Sequence, residues 1–201
     1  MRFFIAILLA TLPINVWADP KAEIKTIVIV GDSLTEGYGV SKENAYPALL
    51  EKKIAERGYK VVNAGISGST SASAPARVKW QLKSKPEILV LALGANDGLR
   101  GLSVENMQKN LRAAVNLALD AKVKVVLVGM RMPPNYGKEY SEKFRKAFDR
   151  LSKELRVTYI PFLLKDVGGN PKLNLTDGIH PNEAGHKILA ETVFQGIRGI
   201  L

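Results

Sequence analysis

The chain has 201 residues, no cysteine and two histidines, which excludes a disulfide framework, a thiolate metal site and a lipidated N-terminal cysteine. A chain of this length buries a large core without staples. The net charge of +10, from 29 Lys and Arg against 19 Asp and Glu, favours anionic surfaces. The lysines are nevertheless scattered (Lys52, Lys53, Lys79, Lys83, Lys143, Lys146, Lys153), and no nucleic-acid motif accompanies them. No nucleic-acid partner is expected. The basic face is read as solvated, with transient contact to an anionic membrane surface as its one further use. Two histidines would leave a zinc site to carboxylates, so no metal is expected either.

Arg2 and the apolar run Phe3 to Ala10, broken by Pro13 and followed by Val16-Trp17-Ala18, have the layout of a cleaved secretory signal over residues 1–18. The run is too short to span a bilayer, which argues against an uncleaved tether. Residues 19–201 are expected to form a single domain, exported to the periplasm or secreted, and monomeric.

Thr26 to Val30 is a continuous β-branched run, as a strand buried on both faces requires. A helix is predicted through Tyr46 to Arg57, with Pro47 in its first turn and Gly58 at its stop. Lys60 to Asn63 is a second strand, and Arg77 to Leu82 lies on a helix. Ile88 to Leu93 is a third strand. Ser103 then caps a long helix whose Leu111, Ala114, Val115 and Ala118 keep the spacing of one buried face. Val123 to Val128 is the fourth strand, Glu139 to Leu155 a helix, and Val157 to Ile160 a short fifth strand. The last helix begins near Pro181-Asn182 and runs toward Ile197. Alternation of this kind predicts a three-layer α/β/α fold on a parallel five-stranded sheet.

Ligands of open α/β sheets gather where strands end. Four polar clusters stand at such positions: Gly31-Asp32-Ser33, Asn63 to Gly68, Gly94 to Gly98, and Asp177-Gly178-Ile179-His180-Pro181 before the last helix. Each alone is ordinary turn chemistry. Together they hold the parts of an acyl-transfer site. Ser33 is the candidate nucleophile and His180 the base. Asp177, three residues earlier, orients the imidazole. The N–H groups of Ser33 and Gly68 and the side-chain amide of Asn96 are the candidate oxyanion donors. His186, inside the last helix with no carboxylate placed as Asp177 is, reads as a surface or helix-face residue. Asp32 reads as a buttress of the nucleophile turn, and Ser67, Ser69, Ser71 and Ser73 as capping residues.

These blocks resemble the SGNH (GDSL) hydrolase superfamily: Ser33 in Gly-Asp-Ser-Leu-Thr, Gly68 in Asn-Ala-Gly-Ile-Ser-Gly-Ser-Thr, Asn96 in Gly-Ala-Asn-Asp, and Asp177 with His180 in Asp-Gly-Ile-His-Pro. Gly94 to Gly101 and Pro134-Asn135-Tyr136-Gly137 are similar to its bacterial periplasmic thioesterase/lysophospholipase/arylesterase branch. The resemblance implies a flavodoxin-like sheet, a Ser-Asp-His triad without cofactor, and the three oxyanion donors named above. It places the functional glycine at Gly68, leaving Gly65 to the turn out of the second strand. Gly37-Tyr38-Gly39 lacks the third glycine of a dinucleotide loop, and the Gly-x-Ser-x-Gly elbow of α/β-hydrolases is absent around Ser33.

Leu99 and Leu102, and Met132, Pro134 and Tyr136, are apolar loop residues at the same sheet edge. They either bound an acyl groove or pack their loops locally. The branch implies the groove, hence small-molecule acyl esters, thioesters, aryl esters or lysophospholipids as substrates. A carbohydrate O-acetyl esterase of the same fold and a non-catalytic binding module are the competing readings.

Overall fold

The computed structural model describes residues 24–201; the expected signal segment lies outside the described residues. Five strands form one sheet: β1 Lys25–Gly31, β2 Tyr59–Gly65, β3 Ile88–Ala92, β4 Lys124–Val128 and β5 Thr158–Ile160. All pairings are parallel, in the order β2-β1-β3-β4-β5. Parallel strands need crossovers, and helices supply them. The chain contains α1 Ser33–Glu36, α2 Tyr46–Ile54, α3 Ala74–Gln81, α4 Ala95–Leu99, α5 Val104–Asp120, α6 Lys138–Leu155 and α7 Glu183–Ile197. α2 packs on α7, whereas α3 and α6 pack on α5. Right-handed crossovers put these two groups on opposite faces, because the chain first steps outward to β2 and then returns across β1 to β3. This is the flavodoxin-like three-layer arrangement expected from the sequence.

The strand predictions hold to within two residues at each end. Ile27 to Val30 and Ile88 to Leu91 are fully buried, as continuous apolar runs in a central parallel strand must be. Ser103 caps α5 by accepting from the Asn106 N–H at 3.2 Å. That helix buries Met107, Leu111, Ala114, Val115 and Ala118, and each large apolar side chain so removed from water contributes about 1.5–3 kcal/mol. The helix expected to run to Arg57 stops at Ile54 and tightens into a 3-10 turn, which Gly58 ends at φ +74°. Two short helices are new. α1 and α4 each follow a strand directly, at the ends of β1 and β3, where the strand order reverses. In a doubly wound sheet that reversal opens the binding crevice.

Candidate active site

The turn that carries Ser33 is built by close approach. Gly31 ends β1, and a Cβ there would fall 1.8 Å from Thr35 Oγ1, so only glycine lets α1 fold back on the strand. Asp32 caps α1, its Oδ1 accepting from the Leu34 N–H at 3.1 Å. Gly37 ends it at φ +90°. Ser33 is thereby the first residue of α1. Its N–H has no acceptor among the described residues and stands at the positive end of that turn.

His180 faces Ser33 from the other end of the sequence. Its Nε2 lies 2.9 Å from Ser33 Oγ, and its Nδ1 lies 2.7 Å from Asp177 Oδ2. Asp177 Oδ1 accepts from the N–H groups of Ile179 at 2.9 Å and His180 at 3.0 Å. The backbone donor of His180, then that of Ile179, then the imidazole hold the Asp177 carboxyl down at about 2. An ionised Asp177 fixes the imidazole proton on Nδ1 and turns the Nε2 lone pair toward the hydroxyl. Gly178, at φ +69°, shapes the Asp-x-x-His loop, and Leu175 N–H to His180 O at 2.7 Å closes it. The Tyr38 ring lies over the imidazole with centroids 4.5 Å apart.

Asn96 stands in the first turn of α4, after Gly94 at φ +119°. Its Nδ2 donates to Ser69 O at 3.0 Å, which leaves one amide hydrogen for a ligand. Gly68, at φ +74°, accepts on its carbonyl from Arg100 Nη2 at 3.0 Å. Gly65 has a different use from the one expected. Its φ is ordinary, and a Cβ there would lie 2.1 Å from Glu36 N, so it is glycine because the backbone of α1 rests on β2.

Four supports escape a local reading. Buried Asp97 accepts from Ser71 N at 2.8 Å and Ser71 Oγ at 2.6 Å, tying the Asn96 segment to the Gly68 loop. Arg77 Nη2 donates to Gly31 O at 2.9 Å and also to Ala64 O, clamping the ends of β1 and β2. Beneath Ser33, Thr35 Oγ1 and Tyr46 Oη are 2.8 Å apart. Tyr46 N–H in turn donates to His186 Nδ1 at 3.2 Å. His186 is therefore not a surface residue: it is 1% exposed.

Asp32 and His186 are both buried, with opposite consequences. Burial lifts the Asp32 carboxyl to about 6 and depresses the His186 imidazole to about 4. Folded Asp32 keeps a proton that the unfolded chain loses above 3.8. Its contribution is complete below that value and lost as pH rises through about 6. Folded His186 refuses a proton that the unfolded chain takes below 6.5. Its contribution is present above that value and lost as pH falls through about 4. Between about pH 4.5 and 6 the two slopes oppose. His186→Gln removes one of them, so in urea melts the pH slope of that variant's stability should be more negative than the parent's across this window, by up to about 1.4 kcal/mol per unit. Equal pH slopes in the two proteins contradict this.

A cavity of about 570 Å³ opens beside Ser33 and His180. Leu99 and Met132 line it together with Leu34, Met130, Phe162 and Ile179, which the sequence did not single out. Leu102 and Tyr136 are not brought to its wall. Leu102 is 43% exposed, and its N–H and carbonyl are bound to Asp97 O at 2.9 Å and Tyr140 Oη at 3.1 Å. The Tyr136 hydroxyl donates to Leu99 O at 2.9 Å, so it props the cavity wall from behind. The Pro134 side chain lies outside what the structure describes. Among the described residues no three His, Asp or Glu side chains cluster to hold a metal, and no helix is long and apolar enough to cross a membrane.

The chain matches the GDSL-like lipase/acylhydrolase family over residues 29–188. It belongs to that family and is a hydrolase of ester bonds. Within the family it stands with the esterase and thioesterase branch. It is 38% identical to esterase TesA of Pseudomonas aeruginosa over 184 residues, 90% of this chain and 92% of that protein. It is also 38% identical to thioesterase 1/protease 1/lysophospholipase L1 of Escherichia coli K12 over 181 residues, 90% of this chain and 86% of that protein. A crystal structure of TesA superposes with a TM-score of 0.85 at 38% identity, covering 88% of this chain and all of the other.

Proposed function

We propose that this chain is an exported serine esterase in which Ser33, His180 and Asp177 form the catalytic triad. One observation supports this above the rest: an unbroken line of hydrogen bonds from Asp177 Oδ2 through the imidazole to Ser33 Oγ. Ser33 Oγ attacks the substrate's carbonyl carbon and gives its proton to His180 Nε2. The Ser33 and Gly68 N–H groups and Asn96 Nδ2 receive the negative charge that forms on the carbonyl oxygen. Collapse breaks the ester bond, and the imidazolium protonates the leaving alkoxide or thiolate. Water, deprotonated by the same nitrogen, then hydrolyses the acyl-enzyme, releases the acid and restores Ser33. Asp177 stays ionised throughout and steadies the imidazolium.

The cavity's apolar wall favours medium-to-long acyl esters and thioesters, aryl esters and lysophospholipids over acetyl groups on sugars. TesA of P. aeruginosa and thioesterase 1/lysophospholipase L1 of E. coli carry names of the same range. Residues 1–18 are the export signal in this reading, and 19–201 one monomeric domain in the periplasm or medium, touching anionic membrane transiently. A chain-length series of p-nitrophenyl esters tests the substrate class. The ratio kcat/KM should peak at a medium or longer acyl group. A peak at acetate overturns the reading in favour of an O-acetyl esterase.

A further inference from the structure

The cavity wall carries one charged side chain that this acyl chemistry does not use. Asp32, Ser33, Asn96 and His180 belong to the nucleophile turn, the base or the oxyanion donors. Beyond them the lining is apolar or glycine, except for Arg131.

Arg131 follows β4, and Phe162 follows the neighbouring β5. Their backbones are tied together: Gly129 N–H donates to Ile160 O at 2.8 Å, and Leu163 N–H donates to Gly129 O at 3.2 Å. On this tie Arg131 Cζ stands 5.1 Å from the centroid of the Phe162 ring, which also lines the cavity. A guanidinium resting on an aromatic face is held in place while its N–H edge stays open to acceptors. None of the ion pairs among the described residues involves Arg131. It is exposed, so water carries its charge until a ligand does. A fixed, unpaired guanidinium fork matches the two oxygens of a carboxylate or phosphate.

The geometry points to Arg131 as an anion-recognising residue that selects esters bearing a carboxylate or phosphodiester group away from the scissile bond. This rests on the acyl-hydrolase reading of the site. Such an anion can come from either part of the substrate. It lies at the far end of the acyl chain in a dicarboxylic monoester, or on the alcohol in an anionic lysophospholipid.

Two pairs of substrates separate these sources. The first is a p-nitrophenyl ester of a dicarboxylic acid against its neutral counterpart of equal length. The second is a lysophosphatidylglycerol against the monoacylglycerol with the same chain. For each pair the ratio of kcat/KM, anionic over neutral, is measured in the unaltered protein and in Arg131→Gln. The ratio should fall about tenfold in at least one pair, equivalent to about 1.4 kcal/mol, through KM of the anionic ester. Arg131→Lys should recover part of it, because a point charge remains without the fork. A fall in the first pair alone places the anion on the acyl side, and in the second alone on the alcohol. Ratios unchanged in both overturn the inference. Absence of turnover on all four esters by the unaltered protein would instead overturn the acyl-hydrolase reading.

Discussion

Ser33→Ala should lower kcat on any ester by about a millionfold while the protein stays folded. A serine triad acts as a unit, and losing the nucleophile removes nearly everything the triad adds, leaving only binding and oxyanion stabilisation. The structure isolates the effect well. Ser33 Oγ has His180 Nε2 as its partner at 2.9 Å. The backbone that positions it is held by other groups: the Asp32 cap, the Thr35–Tyr46 contact and the Arg77 clamp. Alanine also suits a first helical turn. Thermal midpoints of the two proteins should therefore agree within about 2 °C. Steady-state hydrolysis of a p-nitrophenyl ester decides the matter, and turnover retained in Ser33→Ala would remove the serine from the mechanism.

Gly65→Ala should be strongly damaging for so small a substitution. The added Cβ would lie 2.1 Å from Glu36 N, 2.6 Å from Glu36 Cα and 2.7 Å from Thr35 C. All three are backbone atoms, so no side chain can swing away. Either α1 lifts from β2 or β2 bends out of register, and a cost of about 3 kcal/mol follows. For a protein of this size the midpoint falls by about 10 °C. Because α1 begins at Ser33, esterase activity should fall as well. Gly199→Ala is the control, since a Cβ there meets nothing within 4 Å. Equal melting of Gly65→Ala and Gly199→Ala would show that α1 has room to move.

The strands were legible because Thr26 to Val30, Ile88 to Leu93 and Val123 to Val128 are continuous apolar runs, and burial on both faces demands that pattern. The polar clusters were legible for a related reason: a parallel sheet sends its strand ends to one edge, so proximity follows from topology. What stayed hidden depends on distance along the chain or on side-chain direction. His186 reads as a surface residue until Tyr46, 140 positions away, presents its N–H. Asp97 looks like part of a turn beside Asn96, and its partner Ser71 lies 26 residues back. Leu102 and Tyr136 each lie three residues from a cavity residue, Leu99 and Pro133, but aim elsewhere, which loop composition does not encode. α1 and α4 are too short for any periodicity to register.

Ser33 and His180 meet across 147 positions. A chain emerging from the ribosome shows its serine turn 147 positions before its histidine. A chain that has not yet folded holds Ser33 with no imidazole beside it. On the mechanism proposed above, hydrolysis therefore waits for the fold to bring these two distant segments to one edge of the sheet.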